Sequence, residues 1–230
     1  MPSLKHTGHL SYLFLLLVLL NGCINGSSKR LEKGLVEYTI TYPEAKADDA
    51  FMTSMMPQQM VLHFEGSRTR SDLTMGMGIM KASFITDAKK HQLITLLTIM
   101  DKKYALVLDS TKVNAELIRK EQWTFTQTDD NKEIAGYNCT KWQALGNRGD
   151  KMEVWTTDDI TIEDPNWSTP LNGIKGFLLQ YDMIVNKIHM RLQATKVQAA
   201  QIDAKAFDIP ADFPEVKKEE MPEIFSQFFQ

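Results

Sequence analysis

The chain has 230 residues, 43% of them hydrophobic and 24% charged, with a formal net charge of −3. That composition is globular, and at this length a core forms without disulfide staples, which excludes disordered and collagen-like chains. With 26 basic against 29 acidic residues there is no cationic excess to engage phosphate backbones, so nucleic-acid binding is not expected.

The first 22 residues read as an export signal. Lys5, His6 and His9 give a weakly basic start, and Tyr12 to Leu20 is an uninterrupted apolar run. A membrane-spanning helix needs about 20 such residues, so this run has the length of a signal-peptide core and not of a span. No second run of spanning length follows. Leu20-Asn21-Gly22-Cys23 resembles the lipobox of bacterial lipoproteins, although Asn21 departs from the usual small residue. The resemblance implies cleavage between Gly22 and Cys23, with acyl chains on the Cys23 thiol and on the new amine. At about 0.8 kcal/mol per buried methylene, two or three chains anchor a protein permanently. The competing reading is an ordinary secretory signal with an unmodified Cys23, which could then pair with Cys139, the only other cysteine, in an oxidising compartment. If Cys23 is acylated, Cys139 is a solitary thiol, and its strand-like surroundings predict a buried, inert one.

Ile24 to Arg30 is a polar Gly/Ser tether. It lacks the acidic cluster that some lineages place after the lipidated cysteine of surface lipoproteins. By that analogy the protein faces the periplasm from the outer membrane. The organisation expected is a signal peptide at 1–22, a lipidated tether at 23–33, a β domain at 34–215 and an amphipathic helix at 216–230.

From Gly34 onward the dominant period is two. Val36, Tyr38, Ile40 and Tyr42 alternate with Glu37, Thr39 and Thr41, and Met60, Leu62 and Phe64 with Val61, His63 and Glu65, the pattern of strands with one dry face. Pro43 and Pro57 bracket a predicted helix over 44–56, with Phe51, Met52, Met55 and Met56 on its buried face. Further strands are predicted at 79–86, 93–100, 104–108, 123–128, 134–144 and 152–157. Leu93 to Met100 is apolar on both faces and is read as a central strand covered from both sides. A short helix is predicted within 111–121 and a long ordered connection over 158–176. Phe177, Leu179, Tyr181 and Met183 then alternate up to a tight turn at Asn186-Lys187, after which Ile188, Met190 and Leu192 return as a hairpin. Met221, Ile224, Phe225, Phe228 and Phe229 form one helical stripe, expected to dock on the domain. Strands joined by short turns point to an antiparallel meander and not to βαβ units.

Ile134-Ala135-Gly136-Tyr137-Asn138-Cys139-Thr140-Lys141, followed by Val154-Trp155-Thr156-Thr157, resembles the paired-strand signature of an uncharacterised family of bacterial envelope proteins, a domain of unknown function. Such proteins are similar to the wider lipoprotein-carrier superfamily of the Lol type. The resemblance implies a mainly β fold, a strongly curved antiparallel sheet or half barrel with a few covering helices and an apolar concave face. It carries over no catalytic residue.

The chain lacks the motifs of common catalytic sites. His63, His91 and His189 share no zinc spacing, and there is no Gly-x-Ser-x-Gly elbow and no P-loop. The protein is therefore expected not to be an enzyme and to need no cofactor or metal. The function expected is binding of an apolar or amphiphilic ligand, such as an acyl chain, on the concave face. The candidate lining is Met60, Leu62, Phe64, Met80, Phe84, Phe177, Leu179 and Tyr181. One alternative is an interaction lipoprotein that docks an envelope protein. Another is Cu(I) held by Met52, Met55 and Met56, because seven of the 13 methionines fall between positions 52 and 80.

Overall fold

The computed structural model describes residues 30–113, 122–147, 149–185 and 188–226. Eleven strands form a single antiparallel sheet: β1 (Lys33–Thr41), β2 (Gln59–Glu65), β3 (Arg68–Met75), β4 (Met80–Asp87), β5 (Gln92–Ile99), β6 (Lys102–Asp109), β7 (Trp123–Ile134), β8 (Tyr137–Gly146), β9 (Lys151–Thr157), β10 (Phe177–Val185) and β11 (Ile188–Ala199). The order across the sheet is β6-β5-β4-β3-β2-β1-β11-β10-β9-β8-β7. Every strand pairs with its sequence neighbours except across one seam. The last strand returns to the first, and β6 and β7, consecutive in sequence, are left as the two edges. The sheet is therefore a meander curled toward a barrel and left open between β6 and β7.

The curl has a direction. Phe64 on β2 and Phe177 on β10 are separated by β1 and β11, roughly 14 Å in a flat sheet. Their ring centroids are 5.4 Å apart. Tyr38 on β1 likewise reaches across β11, donating its hydroxyl to the Leu178 carbonyl at 2.7 Å. The face that carries Val36, Tyr38, Ile40, Met60 and Phe64 is thus the concave one, and these side chains join Cys139, Trp155, Phe177, Leu179 and Leu192 in the main core. Register irregularities between Glu37 and Tyr38 and between Leu178 and Gln180 lie on the strands that carry these cross-sheet contacts, and a bulge of this kind bends its strand.

Two segments manage the edges. The 158–176 connection groups Trp167 with Leu106 and Leu108 of β6, and Leu171 and Ile174 with Trp123 and Phe125 of β7. It therefore reaches both sides of the seam. It approaches β7 so closely that a Cβ on Gly173 would come within 2.7 Å of the Phe125 ring. The C-terminal stretch wraps β6. Phe207 covers Ile85, Ile94, Leu96 and Ala105 on the convex face. The Ala105 N–H then donates to the Pro214 carbonyl at 2.9 Å, and the Val216 N–H donates to the Ala105 carbonyl at 2.8 Å. Finally Ile224 lands on Ala82, Leu97 and Ile99 on the concave face. An edge strand occupied in this way cannot pair with another chain at that point.

The helices differ from expectation. The 44–56 segment forms only a 3-10 turn at Ala47–Asp49 and α1 at Ala50–Met55. Its expected buried face is not buried: Phe51 and Met52 are exposed, and α1 has no buried residue. A single turn and a half between two prolines is too short to span the sheet, so its apolar positions meet the 76–78 turn and solvent. At the C-terminus α2 (Met221–Ser226) buries Ile224, as the stripe predicts. Phe228 and Phe229, the 186–187 turn, most of the 111–121 helix and all of the signal and tether to residue 29 lie outside the described residues. Of the 93–100 stretch, Ile94 and Leu96 are covered by Phe207 and Leu97 and Ile99 by Ile224, one on each face as expected, while Met100 is exposed; the strand is not central but lies one in from the edge, its cover coming from the C-terminal segment that wraps β6.

Candidate functional site

Strand register arranges the concave face of β2 to β6 in rows. One row runs Phe64, Thr69, Thr86, Leu93, Leu108, and Trp167 caps its far end. A second row runs Met60, Leu73, Ala82, Leu97, Tyr104, and Ile224 caps it. Between them runs a third row: Leu62, Ser71, Phe84, Thr95, Leu106. None of its members is fully buried, and Phe84 at its centre is 37% exposed. The result is an apolar groove across the strands, floored by Leu62 and Phe84 and walled by the two capping segments. Thr69 and Thr86 satisfy each other's hydroxyls at 2.7 Å along one wall, so the wall adds no unpaired polar group.

The predicted lining residues therefore divide. Met60, Phe64, Phe177 and Leu179 are buried in the main core, with Leu62 and Tyr181 half-buried against it. Met80 belongs to the cluster under Ile224. Phe84 alone among them presents a large apolar surface to solvent. What alternation could not reveal is the role of Trp167 and Ile224, which divide a continuous apolar face into covered and uncovered rows. A separate cleft of about 280 Å³ beside Phe177 is lined by Arg30, Asp158, Thr161 and Pro165 among others. It is smaller and more polar than ordinary ligand pockets, which favours the groove over it.

Several polar groups lie near the concave core. Burial pushes the Cys139 thiol up to about 11, so it is not a thiolate at neutral pH. Lys132 lies 4.1 Å from the Trp155 ring centroid and donates to Gln180 at 2.8 Å. Desolvation lowers its pKa. The indole N–H groups of Trp155 and Trp167 are buried without a partner among the described residues. No three His, Cys, Asp or Glu side chains converge as a metal site among the described residues, and no described helix is long and apolar enough to cross a membrane.

One ionic network stands out on the β10–β11 hairpin. Asp182, only 2% exposed, accepts two bonds from Arg191, Nε at 2.8 Å and Nη2 at 2.9 Å. His189 Nε2 lies 2.9 Å from Asp182 Oδ2, and His189 Nδ1 lies 3.0 Å from Glu44 Oε1 in the segment that leads to α1. A ring with a carboxylate oxygen at each nitrogen must donate from both, so this geometry is that of an imidazolium. Burial opposes the charge, but the two carboxylates prevail and hold the His189 pKa above 6.5.

The family's sequence profile, described as "Domain of unknown function (DUF4412)", matches residues 50–169, more than half of the chain. The protein belongs to that family. No curated protein matches it. Among solved structures it is similar to MucB at 9% identity and a TM-score of 0.32, covering 80% of this chain and 60% of that one. It is also similar to the MucA/MucB complex of Pseudomonas aeruginosa, at 8% identity and a TM-score of 0.32, covering 82% and 59% respectively. This chain thus spans about three fifths of the length of the structures it matches. For this DUF4412 protein the unclosed, curved antiparallel sheet rests on its own strand order and cross-sheet contacts.

Proposed function

We propose that this is a non-enzymatic, lipid-anchored protein of the cell envelope, held by an acylated Cys23 at the periplasmic side of the outer membrane, and that it binds an apolar or amphiphilic ligand on its concave face. The observation that carries the ligand reading is Phe84, 37% exposed in the middle of a face that is otherwise buried or capped. A large aromatic left open on a concave surface, in a row flanked by covered rows, is a place for an acyl chain to lie across the strands. The polar members of that row, Ser71 and Thr95, are uncharged and impose no desolvated charge on a bound tail.

Native mass spectrometry on residues 24–230, purified without detergent, tests this reading. A bound mass matching extracted lipid is expected, lost in Phe84→Asp and kept in Leu145→Asp, which changes an exposed residue on β8. An unliganded mass that does not change on adding phospholipid or lipopeptide would overturn it.

A further inference from the structure

Strand directions place the exposed apolar side chains unevenly. β1 runs from the tether toward α1, so Thr41, Met75, Met80, Ile99, Val185 and Gly146 all lie at the sheet end away from Arg30. Among the described residues, eight of the nine large exposed apolar residues are found at that end, and Phe84 is the ninth. Five of them adjoin. α1, with Phe51 and Met52, packs against the 76–78 turn that presents Met77, and the Met100 N–H donates to the Ile79 carbonyl at 2.7 Å. Met77 and Met100 hold left-handed backbone at φ 54° and 56°, where glycine or asparagine is the ordinary choice. Local preference thus yields to apolar side chains at both tips.

We propose that this apolar mouth is a self-association surface, where Phe51, Met52, Met77, Ile79 and Met100 of two copies of this chain meet about a two-fold axis. Area and charge favour a second copy over other occupants. The five side chains are 45% to 82% exposed. At ~200 Å² for a large side chain they offer on the order of 600 Å², so a pair would bury roughly 1,200 Å², the scale of a specific dimer. The patch core has no charge, as in homodimer interfaces. Around it stand exposed charges of both signs, Lys46, Lys81 and Lys102 with Glu44, Asp48, Asp49 and Asp101. An isologous contact must be complementary to itself, and a surround of mixed sign meets that condition. An anionic bilayer calls instead for a basic surround, and the Asp48-Asp49 pair beside Phe51 opposes it. The mouth also lies roughly 27 Å along β1 from the tether.

In-cell disulfide trapping tests this on the full chain. Single cysteines are placed at Met52, Met77, Ile79 or Met100, with Lys90→Cys at the opposite end as the control, and cells are oxidised with copper–phenanthroline before lysis. A disulfide-linked dimer is expected from at least one mouth position and not from position 90. Adding Met77→Asp and Met100→Asp to the Met52→Cys chain should abolish it, while Cys139 stays unreactive, a sign that the fold is intact. No dimer from any mouth position, or as much from position 90, would overturn the proposal. So would mouth cysteines that remain monomeric and are labelled by a bilayer-embedded probe, the result that assigns the mouth to a membrane.

Discussion

Replacing His189 with alanine should destabilise the protein in a pH-dependent way, and the geometry fixes the sign. At pH 5.5, below the unfolded value of 6.5, the imidazolium donates to the nearly buried Asp182 at 2.9 Å and to the exposed Glu44 at 3.0 Å. A hydrogen bond to a buried charge contributes about 1.5–3 kcal/mol, and an exposed ion pair contributes about 0–1 kcal/mol. Asp182 keeps both Arg191 bonds in the variant, so it is not stranded as an unpaired buried charge. The expected loss is therefore about 2 kcal/mol at pH 5.5. Because the folded pKa of His189 is raised, this contribution is complete below 6.5 and disappears as pH rises through the folded value. Above the folded value the ring is neutral and has one N–H for two carboxylates. It keeps a bond to Asp182 and turns a lone pair toward Glu44, so the variant's deficit should shrink to about 1 kcal/mol or less. Urea titrations of both proteins at pH 5.5 and at intervals upward, followed by tryptophan fluorescence, measure the difference directly. A deficit that does not shrink as pH rises would refute the imidazolium bridge.

Three further outcomes are expected. Phe64→Ala removes a fully buried ring that packs against Phe177, and should lower the unfolding free energy by about 3–5 kcal/mol in the same urea assay. Cys139 is buried and its pKa is pushed up to about 11, so iodoacetamide at pH 8 should leave it unmodified in the native protein and alkylate it in urea, as read by intact mass. Cys23→Ala should abolish incorporation of radioactive palmitate and leave the precursor uncut before position 23; continued labelling would refute the anchoring proposal.

Much of the fold is legible in the alternation of the chain. Val36-Tyr38-Ile40, Met60-Leu62-Phe64 and Phe177-Leu179-Tyr181 each mark one face of a strand, because a period of two can be satisfied in no other way. Alternation reports that a face is dry without saying toward which side the sheet bends. That depends on contacts such as Phe64 with Phe177, formed between residues 113 positions apart in the chain. The same limit explains the helix at 44–56. Its apolar positions have helical spacing, but spacing is indifferent to whether a partner surface exists, and here only Ala50–Met55 is α-helical, with no buried residue. The Asp182–His189–Glu44 network left no trace that could be read locally, since it joins a hairpin to a segment 145 residues earlier.

The candidate site was half legible for a related reason. Leu62 and Phe84 were predicted as lining because they belong to apolar strand faces, and register does place them in one row. Their neighbours Met60 and Phe64 carry the same sequence signal yet are buried, since the curl of the sheet brings β10 and β11, more than 100 residues downstream, onto them, while Trp167 and Ile224 cover the far ends of their rows. Whether an apolar strand residue lines a site or fills a core is thus decided by what later parts of the chain lie over it. A row left uncovered on the concave side and a ring of apolar tips at one mouth are the same kind of residue in sequence. They part only in geometry: the groove is enclosed by walls and suits a flexible ligand, whereas the tips protrude and need a surface of their own size to meet.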